Sequence, residues 1–332
     1  MVQTGPVPAR RFRFPAWRWV LALSVAAVLL YKALHGVDWT QVWRTVVSAR
    51  WGYLAAAMCV GTASFSVRAL RWRILLNASA SRPLSFATVF RANMAGYLGN
   101  NVLPARAGEV IRSVLISSQS SLSRAYVLTT AFSERMVDAI TLVLWGSVML
   151  FWVRSKPAWM EDVARTMGLV AGAGALVLMI VPHVEGLVHR LVAWLPGPPA
   201  LKERMKGMTE QILLGIRAFH DAGRFLGFAF LTAAIWMIDA TCMIISAHGL
   251  RLEIGYPAAV LLITAMGLGS ALPSTPGYLG IYQFAAVTVL AAFGIGREQA
   301  LAFSLVNQAL GYVVITVLGV PGLYGSLAGR KE

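Results

Sequence analysis

The feature that most constrains this sequence is a series of apolar runs long enough to cross a lipid bilayer. A helix needs about 20 mostly apolar residues to span roughly 30 Å of hydrocarbon. Such runs recur along the 332 residues, of which 58% are hydrophobic and 13% are charged, whereas an ordinary soluble domain has about 25% charged residues. These proportions exclude a disordered chain, a coiled coil and a simple soluble enzyme. They predict an all-α polytopic membrane protein.

About six full transmembrane helices are predicted. The first, Val20–Leu30, follows a basic segment as in a signal peptide, but no clear small-residue cleavage site comes after it. An uncleaved helix is therefore the better interpretation. The other five are predicted at Trp51–Val67, Tyr126–Val153, Thr166–Pro182, Phe225–His248 and Ala300–Leu327.

Two further apolar stretches, Leu84–Ser113 and Pro257–Phe293, are interrupted by polar residues and proline. Irregular backbone at membrane depth is tolerated only where protein or a water-filled cavity satisfies its hydrogen bonds. Both stretches are therefore predicted to be re-entrant or paired helical hairpins. The segment Glu185–Arg224 instead mixes aliphatic and basic residues, which is typical of amphipathic helices on the membrane surface.

The placement of charges predicts the topology. Lys and Arg number 29 against 14 Asp and Glu, and basic residues concentrate in the cytoplasmic segments of membrane proteins. If each hairpin enters and leaves the membrane on the same side, most of the Lys and Arg residues lie on the cytoplasmic side. This distribution favours a multi-pass protein of the bacterial inner (plasma) membrane with both termini cytoplasmic. Residues 1–16 form a basic N-terminus and 17–328 a single transmembrane domain. Its halves, about 17–183 and 225–328, are joined by the amphipathic cytoplasmic segment 184–224.

The two interrupted stretches share a short pattern. Leu103–Gly108 and Leu272–Gly277 both read LPxxxG and lie about half a chain apart. In the predicted topology the hairpins enter from opposite sides, which is the arrangement of an inverted repeat. Transporters bind their substrates at such paired interrupted segments. Coincidence stays open, because the pattern is short and the chain has 30 glycines and 14 prolines.

Ionisable side chains at membrane depth are costly, so each is a candidate functional residue. Around the first hairpin, Glu109 and Arg112 share one helix face, as do Glu134 and Asp138. Arginines paired with these carboxylates could also hold a phosphate, because guanidinium groups bind phosphate oxygens in a bidentate manner. We therefore predict a lipid-headgroup site here. In the alternative, Glu134, Arg135 and Asp138 only fasten a helix at the membrane surface.

Other charged residues are less informative. Asp239 lies alone in an apolar span and could couple transport to protons or bond to a neighbouring hydroxyl. The alternation of base and aromatic over Arg68–Arg73 favours anchoring at the membrane surface over nucleic-acid binding. The histidines lack ligand spacing, and no phosphate-binding loop, nucleophile elbow or kinase motif occurs. We expect no metal, no cofactor and no enzymatic activity.

Three motifs recur around these features. They are Asn93–Arg112, which contains Asn100, Asn101, Pro104, Arg106, Gly108 and Glu109; Glu134-Arg135-x-x-Asp138; and Pro273-x-x-Pro276-Gly277-x-x-Gly280-x-x-Gln283. Together they resemble the lysylphosphatidylglycerol synthase transmembrane-region family over about residues 17–328, although Gln283 stands where the family commonly has glutamate. The predicted substrate-binding residues are Asn100, Asn101, Pro104, Arg106, Gly108, Glu109, Arg112, Glu134, Arg135, Asp138, Pro273, Pro276, Gly277, Gly280 and Gln283, with Asp239 as the candidate coupling residue.

The resemblance implies a flippase-like integral membrane protein. In bifunctional members this region moves an aminoacylated lipid across the bilayer, and a separate soluble domain makes that lipid. The present sequence contains no such domain, so aminoacyl transfer is not expected. We predict a flippase that moves an amphipathic lipid, of phosphate-bearing, hopanoid or glycolipid type, between the leaflets of the inner membrane. The alternative is a non-transporting scaffold for a lipid-modifying or glycosyl-transferring enzyme.

The predicted partners follow from the same features. The excess of positive charge and the arginine cluster favour membrane lipids with anionic headgroups, and nucleic acid is not expected. A lipid-biosynthesis enzyme as a second partner, and association with further copies of the chain, stay open.

Overall fold

The computed structural model describes residues 16–103, 107–150, 221–270 and 275–328, together with scattered helical positions between 162 and 210. The α-helices in this part of the chain are α1 (Ala16–Leu34), α2 (Trp39–Val47), α3 (Trp51–Asn77), α4 (Phe86–Val102), α5 (Ala107–Ser118), α6 (Arg124–Leu150), α7 (Ala222–Gly249), α8 (Tyr256–Gly269), α9 (Ile281–Ala291) and α10 (Arg297–Ala328), with a 3-10 turn at Pro276–Tyr278. These residues contain no strand, so the predicted all-α class is confirmed.

Three of the described helices are long and apolar enough to cross a membrane, namely α3, α7 and the part Arg297–Gly325 of α10. α6 is as long as α3, at 27 residues, but it carries several charged side chains. α1 contributes a shorter apolar stretch, Leu23–Leu34. The predicted helix Thr166–Pro182, the segment 184–224 and the basic N-terminus 1–16 lie almost wholly outside the described residues.

Side-chain caps fix where several helices begin. Asp38, Ser85 and Asp221 each accept a hydrogen bond from a backbone N–H in the first turn of α2, α4 and α7, respectively. Such caps satisfy donors that the first turn of a helix leaves unpaired. The sequence did not predict α2, because its 9 residues are too few to register as a span. Its Trp39 and Trp43 side chains are exposed.

The two interrupted stretches fold as pairs of short helices, α4 with α5 and α8 with α9. At 1.5 Å per residue, α5 and α9, with 12 and 11 residues, are only about 17–18 Å long. α4 and α5 approach closely at glycine, since a Cβ on Gly108 would lie 1.9 Å from the carbonyl oxygen of Gly96. Residues 104–106 and 271–274, which connect the helices of each pair, lie outside the described part of the chain.

α3 and α7 form a long antiparallel pair in the centre of the described fold. At one end the backbone N–H of Arg50 donates to the carbonyl oxygen of Gly249 at 2.7 Å. At the other end a Cβ on Gly227 would lie 3.7 Å from Ile74. Beside this pair, α4 packs on α10 and α8 packs on α6.

The two larger hydrophobic cores of the described residues hold most of these helices together. One joins α3, α4, α5 and α6 through fully buried side chains such as Trp72, Val89 and Ile116. The other joins α6 to helices α7–α10 around Leu262 and Phe303. Between helices in lipid, contacts of this kind stabilise through close packing rather than through removal of water. The second core borders the candidate site, because three of its side chains also line the cavity, namely Leu142, Ile263 and Met266.

Candidate functional site

A cavity of about 580 Å³ lies among α3–α10, within the roughly 300–1,000 Å³ typical of small-molecule sites. α3, α5, α6 and α7 contribute a charged lining, which consists of Arg68, Glu109, Arg135, Asp138 and Asp239. The 3-10 turn, α9 and α10 contribute a neutral lining, which consists of Tyr278, Tyr282, Ser304, Asn307, Gln308 and Tyr312. Each half of the chain therefore supplies part of the site.

Arg71 on α3 is fully buried behind the charged lining and binds both carboxylates of α6. Its guanidinium donates to Asp138 at 2.6 and 3.0 Å and to Glu134 at 2.7 Å. It also donates to the hydroxyl of Thr232 on α7 at 3.0 Å. Glu134 and Asp138 lie one helical turn apart, so they reach the same guanidinium from one face of α6. This contact ties α3, α6 and α7 together.

Arg112 on α5 is the second buried centre of the network. It donates to Glu109 at 2.5 Å, to the side-chain oxygen of Asn93 at 2.8 Å and to Glu134 at 3.0 Å. Its guanidinium lies 4.5 Å from the ring centroid of Trp72, a distance that permits a cation–π contact. Because only 2% of its side chain is exposed, Arg112 supports the lining from behind.

Arg68 on α3 and Asp239 on α7 form an ion pair that connects the two halves. Asp239 also accepts a hydrogen bond from the hydroxyl of Ser64 at 2.6 Å, and the Arg68 guanidinium lies 5.0 Å from the ring centroid of Trp236. Arg68, Ser64, Trp236 and Asp239 all line the cavity. Asp239 is therefore a paired carboxylate rather than an isolated one.

Arg135 on α6 is the more accessible of the two arginines that line the cavity. Its side chain is 28% exposed, compared with 11% for Arg68. Its contacts are long, at 3.2 Å to Glu109 and 3.7 Å to Asp138. Partly exposed pairs of this kind contribute little to stability. Arg135 can therefore exchange partners at low cost when a ligand enters.

Positive and negative side chains are present in equal numbers in this network. Its members are Arg68, Arg71, Arg112, Arg135, Glu109, Glu134, Asp138 and Asp239. Moving an ion out of water costs several kcal/mol unless a partner compensates it, so buried charges need such pairing. Within the described residues the network carries no net charge.

Hydrogen bonds around the turn before α9 hold the neutral lining. The fully buried Gln283 accepts from the backbone N–H of Gly280 at 2.8 Å and donates to Gln308 at 2.5 Å. Gln308 donates to the carbonyl oxygen of Gly277 at 2.6 Å, and the Tyr312 hydroxyl donates to the same oxygen at 2.8 Å. Gly277 has φ 70° and Gly280 has φ 87°, values that favour glycine. An ionised glutamate could not make the donation from position 283.

The sequence-predicted site residues fall into three groups. Those that line the cavity are Asn100, Asn101, Glu109, Arg135, Asp138, Gly277 and Asp239. Those that lie behind the lining or shape its backbone are Gly108, Arg112, Glu134, Pro276, Gly280 and Gln283. Pro104, Arg106 and Pro273 lie outside the described residues.

Arg68 and Arg71 were predicted to anchor α3 at the membrane surface, and this prediction is wrong. α3 continues beyond Val67 to Asn77, which carries both arginines inside, where they are 9% and 0% exposed. The sequence contained evidence for this burial, because the two arginines share a helix face and Asp239, in the middle of an apolar span, needs a cationic partner. The tyrosines of the neutral lining had no comparable signal, because single aromatic residues are common in apolar helices.

Comparison with known proteins gives consistent matches. The sequence pattern of the lysylphosphatidylglycerol synthase TM region matches residues 19–319. A UPF0104 membrane protein of Methanothermobacter thermautotrophicus is 24% identical over 91% of both chains. Another, of Methanocaldococcus jannaschii, is 20% identical over 90% of this chain and 92% of its own. The glycosyltransferase AglD of Haloferax volcanii is 23% identical over 95% of this chain, which corresponds to 54% of that protein.

The matched segment contains both pairs of short helices, the ion network and the cavity. It also covers most of the chain, as the three sequence motifs predicted. A membrane location follows from this family together with the apolar helices α3, α7 and α10. The protein therefore belongs to the lysylphosphatidylglycerol synthase transmembrane-region family.

Proposed function

We propose that this protein moves an amphipathic lipid between the two leaflets of the inner membrane, with the headgroup in the cavity and the apolar chains in the bilayer. The observation that carries the proposal is a cavity with charged and polar lining residues from both halves of a membrane protein. Polar residues at membrane depth commonly mark substrate pathways. The proposed activity makes and breaks no covalent bond, so it requires no nucleophile and no metal.

The packing of the helices supports this proposal. α3–α6 and α7–α10 share one order: a long helix, two short helices and a long helix. The two sets also make equivalent contacts with each other. The second helix of the first set, α4, packs on the last helix of the second set, α10, and likewise α8 packs on α6. Their first helices, α3 and α7, are antiparallel, as an inverted repeat requires. We infer two inverted halves, with α4–α5 and α8–α9 as re-entrant hairpins, since α5 and α9 are too short to cross about 30 Å.

In the proposed mechanism the two halves move relative to one another and expose the cavity to each leaflet in turn. A headgroup that enters displaces the long contacts of Arg135 and leaves Arg71 and Arg112 in place. Asp239 is the candidate residue for coupling to protons, and such coupling has to break its contacts with Arg68 and Ser64. The charge distribution supports cytoplasmic termini in a bacterial inner membrane.

Purified protein in liposomes should accelerate the movement of its lipid between leaflets, measured by dithionite reduction of a fluorescent lipid. Arg135→Gln should slow this movement about tenfold, a change of about 1.4 kcal/mol in the barrier, and should preserve the thermal midpoint. Arg124→Gln, at the exposed start of the same helix, is the matched control and should keep the wild-type rate. Arg112 is unsuitable because its removal leaves Glu109 and Glu134 buried without this partner.

The lipid panel for this assay contains phospholipids, aminoacylated lipids, hopanoids and glycolipids. Acceleration of none of them would contradict the proposed function. Equal rates for Arg135→Gln and the wild type would exclude Arg135 from the headgroup path.

A second candidate function is a scaffold that recruits a glycosyl-transferring enzyme. The observation that favours it is the similarity to AglD, a glycosyltransferase of which this chain matches about half. For a scaffold, Arg135→Gln should be silent, whereas substitutions in the segment 184–224 should abolish recruitment. A glycosyltransferase should co-purify with the wild type and with Arg135→Gln if the protein is a scaffold. It should not co-purify with variants that carry substitutions in the segment 184–224.

A further inference from the structure

We propose that the lipid carries an uncharged, hydroxyl-rich headgroup of the sugar or polyol class. This inference rests on the proposed function and specifies the substrate class of the same cavity. It departs from the anionic headgroup that the excess of basic residues favours. Three features of the cavity support it: the balanced ion network, polar atoms that find no hydrogen-bond partner among the described residues, and a pair of stacked tyrosines.

The balanced network disfavours a charged headgroup. A phosphate adds a negative charge to a site where the described arginines already face an equal number of carboxylates. An ammonium group adds a positive charge where each of those carboxylates already has an arginine partner. Even where Arg135 turns to the headgroup, either ion leaves the site with one uncompensated unit of charge, which is costly at low dielectric constant. An uncharged headgroup needs no counter-charge, so the short pairs of Arg68, Arg71 and Arg112 stay intact even where the long contacts of Arg135 open.

Three polar atoms among the cavity-lining residues lack a hydrogen-bond partner within the described part of the chain. They are the hydroxyl oxygens of Tyr97 and Ser304 and the indole nitrogen of Trp236. Ser304 is 1% exposed and Trp236 is 7% exposed. Buried polar groups are nearly always hydrogen-bonded, so this concentration in one cavity points to a ligand that supplies the missing partners.

The chemistry of these atoms selects among ligands. The indole N–H can only donate, whereas the two hydroxyl groups can donate or accept. A sugar hydroxyl also does both and can satisfy all three atoms. An ionised phosphate offers acceptors only, and an ammonium group offers donors only. All three groups can donate, so the oxygens of a sugar or of a phosphate can accept from them, whereas an ammonium group cannot satisfy the indole N–H. The set therefore excludes an ammonium headgroup, and the charge balance of the network is what disfavours a phosphate.

Aromatic side chains add a flat apolar surface to the same cavity. The rings of Tyr278 and Tyr282 stack with their centroids 5.3 Å apart and their planes at 18°. A sugar ring presents apolar C–H faces and polar edges, which suits an aromatic surface beside hydrogen-bonding groups. The amides of Asn101 and Asn307 also line the cavity, and amides provide both donors and acceptors.

Lipid retention tests the substrate class directly. The full chain in detergent is mixed with equal amounts of monoglucosyldiacylglycerol, phosphatidylglycerol, phosphatidylethanolamine and lysylphosphatidylglycerol with identical acyl chains, and bound lipid is read by native mass spectrometry. The glucosyl lipid should bind about tenfold more tightly than the others. Preferential retention of any charged lipid, or no preference, would overturn this inference. A glucosyl lipid that binds but does not move in liposomes would contradict the proposed function instead.

Two serine variants test the role of the cavity hydroxyl. Ser304 and Ser246 are both buried and lack a hydrogen-bond partner among the described residues, but only Ser304 lines the cavity. Ser304→Ala should weaken retention of the glucosyl lipid about threefold to tenfold without lowering the thermal midpoint, because it removes a bond to ligand alone. Ser246→Ala should match the wild type. Equal retention by the two variants would exclude this hydroxyl from the site.

Discussion

At the scale of single residues, Arg71 shows what a buried charge demands of its surroundings. Its guanidinium contacts Glu134, Asp138 and Thr232 and is wholly shielded from solvent. A buried ion pair adds little net stability, because desolvation offsets the attraction between the charges. Removing one partner, by contrast, leaves an uncompensated charge. Arg71 is therefore expected to hold α3 in register with α6 more than to add stability.

Arg71→Met should lower the free energy of unfolding by about 3–5 kcal/mol, because Glu134 and Asp138 lose their shared partner. Thermal unfolding in detergent measures this change. Arg73→Met is the matched control on the same helix. Arg73 donates to the carbonyl oxygen of Leu84 at 2.7 Å, so its loss should cost about 1 kcal/mol, the value of one hydrogen bond.

A double variant separates the loss of charge pairing from the loss of side-chain packing. Arg71→Met combined with Asp138→Asn removes one charge of each sign, so it should recover part of the stability that Arg71→Met loses. Strictly additive losses in the two single variants would show that the charges of Arg71 and Asp138 are not coupled.

Part of this network could be predicted from the sequence. Glu109 with Arg112, and Glu134 with Asp138, were predicted from their helical spacing, and both pairs lie in the network. Arg68 was missed because hydropathy does not distinguish an arginine at the membrane surface from one neutralised by a distant carboxylate. The tyrosines of the neutral lining depend on tertiary contacts that leave no periodic pattern in a single sequence.

At the scale of elements, the α4–α5 pair depends on the absence of side chains where the two backbones meet. A Cβ on Gly108 would lie 1.9 Å from the oxygen of Gly96 and 2.6 Å from the side-chain oxygen of Asn100. Since the nearest atom belongs to backbone, a rotamer change cannot relieve the clash. The helices have to separate instead.

Gly108→Ala should therefore lower the free energy of unfolding by about 3 kcal/mol, at the upper end of overpacking costs. Gly52→Ala is the control, because a Cβ there would meet nothing within 4 Å. That change should be neutral or should stabilise α3 by at most about 1 kcal/mol. Chemical denaturation in mild detergent compares the two. Equal stability of both variants would argue against the close packing of α4 on α5.

The existence of the elements was predicted better than their ends. Leu84–Ser113 was predicted to be interrupted, and it forms α4 and α5, but α5 continues to Ser118. A helix in lipid is apolar on most sides, so its end follows caps and tertiary contacts rather than a change of polarity. α2 was missed for a related reason, since 9 residues are too few to form a distinct apolar run.

At the scale of the whole molecule, movement of α3 against α7 can be tested with a reversible cross-link. A Cβ on Gly61 would lie 3.6 Å from the sulfur of Cys242, which suits a disulfide. Gly61→Cys in a Cys59→Ser background should cross-link to Cys242 on oxidation. Lipid movement in liposomes should then stop and should return on reduction, because the proposed mechanism requires the halves to shift.

The same background with Cys242→Ser provides the control, since it cannot form this disulfide and should be insensitive to oxidation. Complete cross-linking, verified by mass spectrometry, together with an unchanged transport rate would show that α3 and α7 move as one body. The inverted-repeat mechanism would then need a different moving boundary.

The ion pair between Arg68 and Asp239 also sets an order of events during synthesis. Its carboxylate lies 171 residues after the arginine, so at roughly 5–20 residues per second α7 is made on the order of 10–30 s after α3. In that interval the new chain holds a guanidinium whose neutralising partner does not yet exist. The first half therefore has to keep the Arg68 guanidinium in contact with water or with the insertion machinery until α7 has been made. A ribosome that stops before α7 should leave a product that membrane proteases recognise and remove.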